Sequence, residues 1–271
     1  MTDALDLNAY CRRIAWHDAP AARTLAGLTA LLQAHMQAIP FENLAVLQGR
    51  PPQLGLAALQ AKLVTGGRGG YCFEHAGLLG AVLQALGLPH RHHLARVTLM
   101  RPREQSPRTH QVIVVQLAEG EFLLDPGLGG LAPAWPVPLA GAAAEAGVGE
   151  HRHRLQWRGP QCWLQARLQG EWTDLWASPL DEALPVDFEL GNHYTATHPD
   201  SAFRQHLMLR AWRPGGRVSV LDREVSWREG DTLRRETLPD RAALRRLLAT
   251  HFGMDLPEID ALRVPAVPGW D

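Results

Sequence analysis

The hydrophobic period of this chain changes once, near residue 90, and that change limits its architecture more than any other feature. Before it, Leu25, Leu28, Leu31, Leu32 and Met36 recur at helical spacing after Pro20, and Pro40 ends the run. A shorter helix is expected over residues 56–63. Leu78, Leu79, Val82, Leu83 and Leu86 form another stripe, closed by Gly87 and Pro89. Between them stands Gly66-Gly67-Arg68-Gly69-Gly70, too rich in glycine for a regular element, so Cys72 falls where a loop becomes a helix. From residue 92 to residue 167 the pattern becomes one of short strands, expected at 92–100, 111–117, 121–124, 153–157 and 163–168. The Ala118-Glu119-Gly120 turn makes a hairpin of the second and third, and residues 131–149 read as an irregular excursion. After Pro185 come a short helix at 201–206, strands at 207–212 and 217–222 around Pro214-Gly215-Gly216, and a helix at 241–251 capped by Asp240. Helices, then strands, then a smaller mixed unit describe an α+β chain.

A length of 271 residues suits two or three small units sharing cores. The formal net charge of −1 gives no field to draw in nucleic acid or an anionic membrane. Arg supplies nearly all the basic residues, scattered rather than striped, and Lys62 is the single lysine. The opening Met1-Thr2-Asp3-Ala4-Leu5-Asp6 is acidic where a secretory signal carries positive charge, and no apolar run reaches the ~20 residues of a membrane span. Cys11, Cys72 and Cys162 are an odd, widely spaced set, which fits a reducing compartment. The expectation is therefore a cytoplasmic protein with neither a nucleic-acid nor a membrane partner.

A catalytic thiol acts as its thiolate, and a helix start favours the anion through free N–H groups and the macrodipole. Arg68-Gly69-Gly70-Tyr71-Cys72-Phe73-Glu74 offers such a start, with glycines that allow close approach to the backbone. Cys11 and Cys162 lie in ordinary amphipathic segments and read as small buried hydrophobes. A thiol nucleophile needs an imidazole, and the imidazole an orienting partner. Of thirteen histidines, His110 opens a strand, and Asp125 closes the next, before Pro126-Gly127-Leu128-Gly129-Gly130. Pairing about Glu119-Gly120 makes partner numbers sum to 239, so Asp125 faces Val114 on the strand face of His110, about 13 Å away at the usual rise. Parity supports the pair, and a twist, bulge or bend must close the gap. His75 is the competitor, three residues after Cys72, and reads as a supporting or solvent-facing residue. His90, His92 and His93, like His151 and His153, lack a Cys or carboxylate set at ligand spacing and read as surface histidines rather than a metal site.

Taken in order, several segments resemble the arylamine N-acetyltransferase family. They are Ala38-Ile39-Pro40-Phe41-Glu42-Asn43-Leu44, the Arg68 to Glu74 run, Arg108-Thr109-His110 and Leu124-Asp125-Pro126-Gly127-Leu128-Gly129. Asp187-Phe188-Glu189-Leu190 and Asn192-His193-Tyr194-Thr195-Ala196-Thr197-His198-Pro199 complete the set. The resemblance implies a cysteine-proteinase-like core with a Cys72–His110–Asp125 triad. It places a helical bundle at residues 1–90, a β-barrel at 91–188 and a C-terminal α/β lid at 189–271. It implies ping-pong acetyl transfer from acetyl-CoA, as co-substrate and with no metal, to a small-molecule amine through an acetyl-cysteine. By the same likeness Glu42 and Arg68 pair to brace the glycine loop. Phe41, Leu128, Gly129 and Phe203 line the acceptor or coenzyme pocket, although core packing and turn formation explain those positions equally well. Pro126 stands where the family usually has Val, and Leu128 where it often has Phe, which bears on acceptor preference. The alternatives are an amide synthase of the same fold with a non-CoA donor, a papain- or transglutaminase-like hydrolase, and a catalytically silent binding protein.

Overall fold

The computed structural model describes residues 4–17, 23–99, 101–140, 144–148, 152–213, 215–230 and 232–270. The N-terminal part is helical: α1 (Leu7–Arg13), α2 (Leu25–Ala38), the two-residue strand β1 (Phe41–Glu42), α3 (Leu44–Leu47), α4 (Leu56–Leu59) and α5 (Cys72–Ala85). Thr24 caps α2 by accepting from the Gly27 N–H at 3.1 Å, and α4 runs on into a π-helical turn, Gln60–Thr65. The stripes of α2 and α5 are buried in one core that also holds Tyr10, Ile14 and Leu63.

Eight strands follow: β2 (His90–Val97), β3 (His110–Leu117), β4 (Gly120–Leu124), β5 (Val137–Pro138), β6 (Glu145–Ala146), β7 (His153–Arg158), β8 (Gln161–Leu168) and β9 (Glu171–Ser178). All pairings are antiparallel, in the order β5-β4-β3-β2-β9-β8-β7-β6, and β5 returns against β6 and β7 to nearly close a barrel. The unbroken apolar run of β3 now has a cause. Val112 and Val114 point into the barrel, while Ile113, Val115 and Leu117 point into the helical core. Each such side chain is worth about 1.5–3 kcal/mol when buried, so this strand joins the two cores. The expected excursion at 131–149 carries the short β5 and β6. Residues 141–143 and 149 of it lie outside the described residues, as do Pro20, Met100, His151 and Pro214 among the positions singled out above.

The remaining elements are α6 (Pro185–Thr197), α7 (Ala202–Gln205), β10 (Met208–Arg213), β11 (Gly216–Leu221), β12 (Glu224–Glu229), β13 (Thr232–Thr237) and α8 (Arg241–Leu247). Asp240 caps α8, its carboxylate accepting from Ala243 N–H at 2.7 Å. A five-stranded sheet runs β1-β10-β11-β12-β13, so a piece of the N-terminal part is hydrogen-bonded to the C-terminal sheet. No helix among the described residues is long and apolar enough to cross a membrane.

Candidate active site

Cys72 is the first residue of α5, and two turns of backbone pairing hold it there. Gly70 N–H donates to Pro40 O at 3.1 Å and Glu42 N–H to Gly70 O at 2.8 Å, forming a parallel bridge between Phe41 and Gly70. One residue on, Tyr71 N–H donates to the Glu74 carboxylate at 3.1 Å, the return half of a capping box. Tyr71 also donates its hydroxyl to the Asn192 side chain on α6. From the other side the loop after β4 presses on the cysteine. A Cβ on Gly127 would lie 2.4 Å from Cys72 Cα, so only glycine fits there.

His110, Asp125 and Cys72 come together. The register of the β3–β4 hairpin explains how. Leu117 pairs with Gly120 and Ile113 with Leu124, so partner numbers sum to 237 rather than 239, because the connection is the two-residue Ala118-Glu119. Continued by one step, that register sets Asp125 opposite Val112, two residues from His110 on the same face instead of four. The expected gap of about 13 Å falls to about 7 Å, within the reach of two side chains. His110 Nε2 then lies 3.0 and 2.9 Å from the two Asp125 oxygens. The Cys72 sulfur is 3.7 Å from Thr109 O, the carbonyl of the residue before His110, which brings it beside the ring, and its side chain adds to what raises the His110 pKa. With Nε2 held by Asp125, Nδ1 is the ring nitrogen left for the sulfur.

Burial by itself would lower the His110 pKa, but the Asp125 charge and hydrogen bond, with a smaller contribution from Cys72, carry it up to about 10. Asp125 is completely buried, and its second partner is Trp176 of β9, whose indole N–H donates to Oδ2 at 2.8 Å. Neither β9 nor α6 was expected. Trp172-Thr173-Asp174-Leu175-Trp176 does carry aromatic and β-branched residues, a usable strand signal.

The supporting residues form two clusters. Glu42 and Arg68 do pair, at 3.1 Å, and Lys62 joins them, 2.7 Å from Glu74 and 3.7 Å from Glu42. The lone lysine of the sequence thus bridges two buried carboxylates beneath the glycine loop. On the opposite side His75 is buried, not solvent-facing: its Nε2 is 3.3 Å from Pro40 O and its Nδ1 2.9 Å from His35 Nε2. His35 Nδ1 in turn meets the Tyr10 hydroxyl at 2.9 Å. Burial drives the His75 pKa down to about 4 and that of His35 well below its usual value. A carbonyl only accepts, so neutral His75 donates from Nε2, His35 donates to it, and Tyr10 donates to His35.

Phe41 and Phe203 stand 6.2 Å apart by ring centroid, Tyr71 and Phe203 5.4 Å, and all three share one apolar cluster with Cys72. The Phe41 ring reaches to 3.4 Å from where a Gly129 Cβ would be. Leu128 packs between the helical and barrel cores instead of within that cluster. His93 is buried on Asp181 O at 2.8 Å, His153 is buried on Leu131 O at 2.9 Å and His92 is half-buried on Gln111, so none of the three is a surface histidine. Among the described residues no group of three or more His, Cys, Asp or Glu is placed to hold a metal ion.

A helical bundle and a nearly closed barrel that meet at a buried cysteine and histidine define an α+β protein with a cysteine–histidine site, and its relatives make it an acyltransferase. A family model described as N-acetyltransferase matches residues 24–261. The arylamine N-acetyltransferase of Escherichia coli is 34% identical over 254 residues, covering 93% of this chain and 90% of that one. The crystal structure of a cysteine-to-glutamine variant of the Mycobacterium smegmatis N-arylamine acetyltransferase superposes with a TM-score of 0.90 at 32% identity, covering 97% of this chain and all of that one. A Mycobacterium marinum arylamine N-acetyltransferase in complex with CoA gives 0.88 at 34% identity, with 94% of each chain covered. The chain belongs to the arylamine N-acetyltransferase family.

Proposed function

We propose that the protein transfers an acetyl group from acetyl-CoA to arylamines or arylhydrazines by a ping-pong reaction through an acetyl-cysteine at Cys72. The observation that supports this reading is His110 bonded to a buried Asp125, with the Cys72 sulfur against the carbonyl of the residue before it. His110 takes the thiol proton, and the Cys72 sulfur attacks the acetyl thioester carbon. Collapse expels the CoA thiolate, which leaves with the proton from His110. The amine then attacks the acetyl-cysteine, gives its proton to His110 and expels the sulfur. Asp125 fixes the ring and offsets its charge throughout. The N–H groups that open α5 are the donors proposed for the developing oxyanion.

In this scheme Glu42 and Arg68 brace the glycine loop, Phe41 and Phe203 wall the acceptor pocket, and Gly129 lets the coenzyme arm approach the backbone. Leu128, set between the two cores, acts on that pocket only through the loop it anchors. Residues 1–90, 91–188 and 189–271 are proposed as the bundle, barrel and lid of this layout. The three free cysteines support a cytoplasmic setting.

The test is intact-mass measurement after incubation with acetyl-CoA and no acceptor. The expected result is one acetyl group on Cys72, discharged on adding an aromatic amine. An unmodified protein that hydrolyses peptides, or one charged only by a non-CoA donor, overturns the reading.

A further inference from the structure

Arg210 is buried on β10 with few partners of its own. Its Nη1 donates to Gly129 O at 2.6 Å, and its guanidinium carbon sits 4.6 Å from the centre of the Trp212 ring. No described residue accepts from Nε or Nη2. Those two nitrogens are the parallel donors along one edge of the guanidinium, the edge that grips a planar oxyanion with two hydrogen bonds. The charged neighbour that bears on Arg210 is another cation, Arg217, and burial works in the same direction, both lowering its pKa. A buried guanidinium with an idle fork is costly unless an anion completes it.

Its position says which anion. Arg210 is the direct antiparallel partner of Phe41, so the two side chains leave the same face of the sheet side by side. Phe41 faces Phe203 and Gly129 in the apolar cluster that contains Cys72. The guanidinium therefore sits beside Phe41 and Gly129, two of the residues proposed to line the substrate pocket. We propose that the Nε–Nη2 edge of Arg210 is a receptor for a carboxylate carried by one of the two substrates, either the acceptor amine or the acyl group. The planarity of a carboxylate and the closeness of the surrounding packing favour it over a bulkier, strongly hydrated phosphate. The inference rests on the acyl-transfer reading above and adds a specificity element to it.

The experiment compares kcat/KM in charged and neutral pairs, using the full chain. One arm sets 4-aminobenzoate against its methyl ester with acetyl-CoA; the other sets malonyl-CoA against propionyl-CoA with aniline. Arg210→Met is expected to lower the charged-to-neutral ratio in one arm by about 10- to 100-fold, as for loss of a charge-assisted bidentate pair. Arg210→Lys, which keeps charge without the fork, should fall between wild type and Arg210→Met. The arm that responds identifies the source of the carboxylate. Equal losses on charged and neutral members would reduce Arg210 to a prop for Gly129. A rise in KM for every CoA thioester alike would assign the fork to a coenzyme phosphate, and no change would leave it to buried water; each outcome overturns the proposal. If neither variant folds, competition by benzoate but not benzamide on the wild type carries the same test, and failure of both to compete refutes it. Turnover of the neutral amine reports separately on acyl transfer.

Discussion

Replacing Lys62 by Met isolates one charge beneath the nucleophile loop. Lys62 is 2.7 Å from Glu74, whose side chain is 2% exposed, and 3.7 Å from Glu42, which keeps Arg68 as a partner. Met fills nearly the same space, so the loss is one partner of a buried ion pair, about 3–5 kcal/mol. Burial already raises the Glu74 pKa, with Lys62 pulling it down and Glu42 pushing it up. Without the lysine it rises further. A carboxyl whose folded pKa exceeds its unfolded value binds its proton more tightly when folded. Its penalty is absent below the unfolded pKa of about 4.3 and grows as pH rises through the folded one. The deficit of Lys62→Met should therefore be full at pH 8 and small at pH 5. For 271 residues, an unfolding entropy of about 2.1 cal/mol/K per residue gives about 0.57 kcal/mol/K, hence a Tm drop of about 5–9 °C at neutral pH. Adding Glu74→Gln removes the stranded charge while its amide oxygen still accepts from Tyr71 N–H, so the double variant should recover most of the loss. Urea unfolding at both pH values reads it. A deficit independent of pH, or a double variant as damaged as the sum of the singles, refutes the buried-charge account.

Asp125→Asn removes the group that lifts His110 against its own burial, and turnover should fall about 10⁴-fold, as where a triad carboxylate is lost. The wild type should also lose stability as pH rises from about 6.5 through about 10, because a raised histidine pKa stabilises only while the ring is protonated, and the variant should not; matching alkaline slopes overturn this. His75, held down to about 4, has the opposite sign: its contribution is full above about pH 6.5 and is lost, by about 3 kcal/mol, as pH falls to 4. His75→Gln should flatten the acid limb of the urea midpoint, and an unchanged limb counts against the relay. Iodoacetamide should label Cys72 well before Cys162, whose thiol burial pushes up to about 12, and before Cys11, which burial also raises; comparable labelling of all three by peptide mapping removes the case for a selectively reactive thiol.

The parts of this fold that can be read in the sequence are those where one local signal decides. The α2 and α5 stripes, the glycine stop at Gly87 and the Asp240 cap each announce themselves within a few residues. What could not be read depends on partners far along the chain. β12 and β13 are rich in charge, β13 is exposed along its whole length, and only pairing makes them strands, β12 with β11 and β13 with β12. The helix α6 has no clean apolar stripe, since Phe188, Asn192 and Thr195 are buried for different reasons, Asn192 as the partner of Tyr71. Cys72 was legible from its glycines. Trp176 was not, because its role exists only once β9 reaches Asp125. The hairpin shows how little separates a correct from a failed reading: moving the turn by one residue shifts the partner of Asp125 by two, and with it the contact to His110.

The two buried clusters around the loop use different chemistry on its two sides. The peptide that joins Gly70 to Tyr71 offers its carbonyl to Glu42 N–H and its N–H to the Glu74 carboxylate. Glu42 and Glu74 are tied together through Lys62, so the charged side carries net attraction but also the desolvation of several ions. Pro40 O, which receives Gly70 N–H, also receives the neutral Tyr10–His35–His75 relay, in which every donor has one acceptor and no ion is buried. A loop held by ions alone would shift whenever one of them changed protonation. A loop held by the relay alone would have only weak neutral hydrogen bonds. Held by both, the start of α5 keeps its place over the pH range in which His75 is neutral and Glu74 ionised, the range in which His110 holds a proton between Asp125 and the sulfur.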